Sequence, residues 1–80
     1  MKLKILFFGI TTDLIGTSST VESFADETTV FDLKNSLLEK FPKLKNISSY
    51  AIAVNESYAT DEQVLFENDI IAVIPPVSGG

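Results

Sequence analysis

Residues 70–76 read IIAVIPP. Five apolar residues run without a polar break, and most are β-branched, as in a strand covered on both faces. Pro75 and Pro76 then end the run, because neither carries an N–H for a ladder bond. A strand of this kind belongs in the middle of a sheet, and the rest of the chain must supply its neighbours. The stretch most like it is residues 2–8, KLKILFF. There Leu3, Ile5 and Phe7 share one face, while Lys2, Lys4, Leu6 and Phe8 share the other. The second face starts polar and turns apolar, so this strand also has neighbours on both sides.

The segments between these two strands order the rest. Gly9 and Gly16 bracket a short turn or a single helical turn, and residues 19–24, STVESF, form a second strand paired with the first through that longish connection. A helix covers residues 29–41. Thr29 and Asp32 resemble a capping box with Asp in place of the usual Glu, and Asp32 also suits the positive end of the helix dipole. Val30, Leu33, Leu37, Leu38 and Phe41 make its apolar stripe, and Pro42 with Lys40, Lys43 and Lys45 marks its end. Residues 51–54, AIAV, are a third strand; NES (55–57) is a turn, YAT (58–60) a short edge strand, and DEQVLFEND (61–69) a polar connection with a buried VLF patch.

One helix covers one face of a sheet. In the simplest packing of this order the first and last strands are adjacent, central and parallel. The expected architecture is α+β: a ubiquitin-like β-grasp with a mixed sheet of four to five strands and one main helix on one face. Residues 1–76 form the domain and residues 77–80 a flexible functional tail.

Composition narrows the chemistry. Eighty residues allow one domain and one small core. The chain has no cysteine and no histidine, which excludes disulfides, zinc sites and imidazole catalysis. The formal charge is −5 and every basic residue is lysine. Such a surface repels nucleic acid and anionic lipid and favours basic protein partners. No run approaches the ~20 apolar residues of a membrane span. The opening MKLKILFFGI has too short an apolar run for a signal peptide and no cleavage site after it. The expectation is a cytoplasmic protein, which the absence of cysteine suits. The carboxylates of DETT (26–29) and TDE (60–62) read as solvated loop.

What remains is the ending, PPVSGG (75–80). Ile74 precedes proline and is pushed to extended geometry, and the two prolines hold the chain near polyproline II. Val77, Ser78, Gly79 and Gly80 then reach up to ~13 Å, and the glycines, lacking Cβ, can thread a narrow channel. The tip is an α-carboxylate. With a pKa near ~3.5 it is ionised and a poor electrophile. Adenylation by ATP would make it a mixed anhydride open to a sulfur donor or an amine. This chain has no machinery for that step, so a partner must supply the nucleotide site.

LFENDIIAVIPPVSGG (65–80) resembles the C-terminal signature of the MoaD family, the small subunits of molybdopterin synthase; KLKILFFGITTDLIGT (2–17) and VNESYA (54–59) resemble its opening strand and middle turn. The resemblance spans essentially the whole chain and is most specific from Asp69 to Gly80. It implies a non-catalytic sulfur carrier of molybdenum cofactor biosynthesis that binds no cofactor itself. A ubiquitin-activator-like enzyme would use ATP to adenylate Gly80, and sulfur would replace AMP to give a thiocarboxylate. The tail, Pro75 to Gly79, would lead Gly80 into the large subunit of a heterotetramer, which acts on cyclic pyranopterin monophosphate. Positions matching Phe8, Tyr58 and Ile74 face that subunit in the family, and together with Leu6 they are apolar candidates on the face the helix leaves open. Many members carry an arginine where ITTD (10–13) stands here. Two alternatives stay open: a carrier for thiamine, cysteine or tRNA thiolation, and a ubiquitin-like modifier joined to lysines.

Overall fold

A computed structural model of the chain describes residues 1–47 and 49–76. β1 (Lys2–Phe7) leads into α1 (Ile10–Ile15), then β2 (Ser19–Ser23) and α2 (Val30–Lys40). A 3₁₀ turn (Pro42–Asn46), β3 (Ala51–Val54), β4 (Ser57–Tyr58) and β5 (Ile70–Ile74) follow. The strands form one sheet in the order β2-β1-β5-β3-β4. β5 is central, parallel to β1 and antiparallel to β3, as a strand apolar on both faces requires. β1 and β2 are antiparallel. This is the mixed α+β sheet with one main helix that the order of elements predicts.

Alternation along each strand decides what the helix covers. Leu3, Ile5 and Phe7 of β1, Ile71 and Val73 of β5, and Ile52 and Val54 of β3 are buried. The register sets them in rows, Ile5 beside Ile71 beside Val54, and Phe7 beside Val73 beside Ile52. Val30, Leu33 and Leu37 of α2 complete this core with Leu44 and Leu65. The Phe7 and Phe41 rings meet edge to face with centroids 5.8 Å apart.

The capping box forms as its residues predict: Thr29 Oγ1 accepts from Asp32 N at 3.2 Å, and Thr29 N donates to Asp32 Oδ2 at 3.3 Å. Three expectations need correction. Leu38 is exposed, because it lies about 100° around the helix from Leu37, past the edge of the stripe. Within the VLF patch only Leu65 is buried. The segment runs extended, with Val64 bridged to Thr29 and Leu65 N bonded to Thr28 O, so Val64 and Phe66 point outward. The edge strand is Ser57–Tyr58 rather than 58–60, because the turn takes only Asn55 and Glu56, both at positive φ, as in a two-residue hairpin of the primed type. Pro42 ends α2 and also opens the 3₁₀ turn that buries Leu44, a dual role open to proline at a helix start.

An ion pair ties the sheet edge to the helix. Glu22 of β2 accepts from the Lys40 ammonium and, at 2.8 Å, from the Thr20 hydroxyl. The hydrogen bond from Lys40 holds the Glu22 carboxyl below its usual value, against the opposing effect of partial burial. A depressed folded-state pKa stabilises above the unfolded value and loses that contribution as pH falls through the folded one. Glu22→Gln is therefore expected to lower Tm at neutral pH by no more than about 5 °C, in keeping with a surface pair. The difference from wild type should close as pH drops below the ordinary glutamate value of 4.5. Melting curves of both proteins across that range check it.

Candidate functional site

The face of the sheet away from α2 is uncovered. Its central row, read across the register, is Ser19, Leu6, Ala72, Ala53, Tyr58. Flanking rows add Val21, Lys4 and Ile70 on one side and Ile74 with Ala51 on the other. Phe8, Val21, Tyr58 and Ile70 are exposed at 48%, 60%, 76% and 45%. Contiguous apolar surface of this kind marks a contact site. Two hollows lie along it. One, of about 410 Å³, is bordered by Tyr50, Ala51, Tyr58, Ile74, Pro75 and Pro76. The other, of about 400 Å³, is bordered by Leu6, Phe8, Asn55, Glu56, Ile70 and Ala72. Burial raises the pKa of the Tyr50 hydroxyl, with the charge of Lys34 pulling weakly the other way.

Ile74 ends β5, and Phe8 and the prolines follow β1 and β5 at the same end of the sheet. Because β1 and β5 run parallel, Phe8 and Ile74 leave the sheet together, and Phe8 N donates to Val73 O at 3.3 Å. The ITTD segment fixes this corner. The Thr11 hydroxyl donates to the Phe8 carbonyl and the Thr12 hydroxyl to the Phe7 carbonyl at 2.8 Å, so the strand-end acceptors are satisfied by neutral side chains. The ITTD hydroxyls thus hold the chain's own backbone.

Gly9 packs against the exit. It sits at φ 55° and ψ −135°, a region essentially reserved for glycine. A Cβ there would lie 3.1 Å from Pro75 Cγ. Gly9→Ala is thus expected to cost about 1–3 kcal/mol of stability and to shift the proline ring; a denaturant melt measures the first, and the Pro75 ring resonances in NMR report the second.

Of the predicted site residues, the structure puts Tyr58, Ile74, Pro75 and Pro76 around one hollow and Phe8 on the other, with Phe8 tied to the end of β5 through its N–H on Val73 O. Val77, Ser78, Gly79 and Gly80 lie outside the described residues. Sequence reasoning left out Ile70 and Ala72, although the two-residue period of IIAVI puts them on one face with Ile74. It also left out Val21 and Gly9. Among the described residues no cluster of three or more carboxylates is arranged to hold a metal ion, and no helix is long and apolar enough to cross a membrane.

The sheet, helix and open face define a β-grasp protein whose last strand ends in Pro75–Pro76 at the rim of an apolar face. The chain belongs to the ThiS family, whose model matches residues 5–80. It is 36% identical to the molybdopterin synthase sulfur carrier subunit of Caenorhabditis elegans, with 100% of this chain and 99% of the relative covered. The resemblance read from the C-terminal segment is borne out. Among solved structures, the chain is similar to the small archaeal modifier protein 1 of Methanosarcina acetivorans, with 26% identity, TM-score 0.82, and 99% and 96% of the two chains covered. It is also similar to a chain in the complex of subunits 1 and 2 of molybdopterin-converting factor from Helicobacter pylori, with 26% identity, TM-score 0.71 and 100% of both chains covered.

Proposed function

We propose that the protein is the sulfur-carrying small subunit of a molybdopterin synthase. The observation that carries this reading is the mount: a central strand ends in Pro75–Pro76, wedged against Gly9 at the corner of an uncovered apolar face. The full-length relatedness to sulfur carrier subunits supports it. A partner that covers the open face receives the tail at a fixed entry point. This reduces the orientational freedom lost at the reacting step.

A carboxylate oxygen of Gly80 attacks the α-phosphorus of ATP in an activating enzyme, giving an acyl-adenylate and pyrophosphate. Hydrosulfide adds to the acyl carbon and expels AMP; after loss of a proton the product is a thiocarboxylate. In the large subunit, that sulfur attacks a carbon of cyclic pyranopterin monophosphate and displaces the oxygen substituent there, which leaves with the bonding electron pair. Water then cleaves the acyl–sulfur bond of the resulting thioester, leaving the sulfur on the pterin as a thiol and returning the Gly80 carboxylate and a proton. Val77, Ser78 and Gly79 carry the terminus through the channel, and Phe8, Tyr58 and Ile74 meet the large subunit. The cycle belongs in the cytoplasm, with two small subunits on a large-subunit dimer.

Incubation with an adenylating enzyme of this class, ATP and sulfide should add ~16 Da, sulfur for oxygen, to the C-terminal peptide. An unchanged mass beside a converted positive-control carrier would count against the reading. The similarity to an archaeal modifier favours a second reading, in which a lysine amine takes the activated acyl group instead. High-molecular-weight conjugates that disappear on deletion of Gly80 would select it.

A further inference from the structure

The pole opposite Pro75–Pro76 carries a further apolar groove, of about 290 Å³, lined by Met1, Asp26, Glu27, Val64, Leu65, Phe66 and Glu67. Phe66 is 67% exposed and Val64 39%, side by side with Met1. The walls are stiff. Leu65 N donates to Thr28 O at 2.9 Å, and Val30 N donates to Gln63 O at 3.0 Å. Phe66 projects from a closed turn, with Phe66 N on Asp69 Oδ2 at 2.8 Å and Asp69 N on Phe66 O at 3.1 Å. Glu27 and Asn68 both hold left-handed backbone without being glycine, at φ 68° and 71°. Such conformations persist where the surroundings enforce them.

Three carboxylates rim the groove. Among the described residues the ion pairs are Lys34–Asp61 and Lys40–Glu22, so Asp26, Glu27 and Glu67 have no cationic side chain paired with them. The Met1 ammonium is directed to the Phe24 carbonyl at 2.8 Å, and Glu67 accepts a backbone N–H, from Lys2 at 3.2 Å. An apolar floor with a negative rim is complementary to an apolar anchor flanked by positive charge.

We infer that this groove is a second protein-docking surface, taking a partner segment in which one or two apolar side chains are flanked by lysine or arginine. It lies at the start of β1 and β5, whereas Phe8 and Pro75–Pro76 lie at their ends. A segment held here leaves the open sheet face and Pro76 free, so this partner and a tail-receiving partner can bind together. The fold alone carries this; it does not depend on what the tail delivers.

The test is an amide NMR titration of the full chain with the peptide acetyl-RLKFR-amide, against acetyl-ELEFE-amide as control. The basic peptide should shift the amides of Asp26, Glu27 and residues 64–67, and leave those of Leu6, Phe8 and Tyr58 in place. Its Kd should rise at least tenfold in Phe66→Ser, and again when salt is raised from about 50 to about 300 mM. Phe66 is largely exposed, so its loss spares the core; Glu27→Gly, which also relieves the left-handed backbone, should weaken binding without destabilising the fold. Shifts centred on the open sheet face, equal binding of the acidic peptide, or no shift at the pole at millimolar peptide would each overturn the proposal. So would Phe66-dependent self-association in sedimentation velocity, which would make the occupant a second copy of the chain.

Discussion

Adding one alanine after Gly80 should abolish thiocarboxylate formation and leave the melting temperature unchanged. The proposed chemistry uses the terminal carboxylate itself. In the extended chain the Gly80 carbonyl becomes an amide, which ATP cannot adenylate, and the new carboxylate sits one residue beyond the reach set by the proline mount. Deleting Gly80 retracts the terminus by one residue, up to ~3.5 Å, and should be equally damaging. The fold is insulated from both changes, because the buried core runs from Leu3 to Val73. Thiocarboxylate yield by mass spectrometry beside a calorimetric melt separates the two effects. Sulfur transfer at the normal rate by the extended protein would remove the free carboxylate from the mechanism.

The second large effect is expected at Phe8. Its ring is 48% exposed on the open face and is not part of the buried core. Its backbone, held by the Thr11 hydroxyl and by Val73 O, does not need the ring. Phe8→Ala should therefore cost less than about 1 kcal/mol of stability. At the centre of a desolvated interface an aromatic truncation costs about 2–4 kcal/mol, so the Kd for the large subunit should rise about 30-fold or more. Calorimetric titration beside a melt shows which loss is larger. The reverse outcome, a strongly destabilised protein that still binds, would make Phe8 a structural residue and move the contact elsewhere. Tyr58→Ala should act in the same direction through the neighbouring hollow.

These residues show what a one-dimensional pattern conveys. β1 and β5 were legible because strands covered on both faces lose their alternation, and two such runs in a short chain have to be neighbours. The capping box was legible because its hydrogen bonds are local, three residues apart. The open face was legible in part: Phe8, Tyr58 and Ile74 follow from period two and from counting helices, and Ile70 and Ala72 follow from the same rule. Gly9 was not legible. Its constraint comes from Pro75, distant in sequence and adjacent only because β1 and β5 are parallel. Phe66 and Val64 read as core because hydrophobicity alone does not say which side of an extended segment faces inward; the bridge between Val64 and Thr29 decides that. Leu44 was missed because Pro42 reads as a stop, although the same ring can start a new turn. The chemistry assigned to the tail, Val77 to Gly80, was read from a chain without cysteine and belongs to the proposed function, since those residues lie outside the described ones.

In the proposed function the domain is a mount for its own terminal atoms. The most direct check is the intact mass of the protein isolated from its own cells while molybdopterin synthesis is active, with the C-terminal peptide sequenced by tandem mass spectrometry. The expected result is a chain ending at Gly80, a fraction of which is ~16 Da heavier with the added mass confined to that residue. A chain that continues unprocessed beyond Gly80, or added sulfur found anywhere but its carboxyl group, would contradict it.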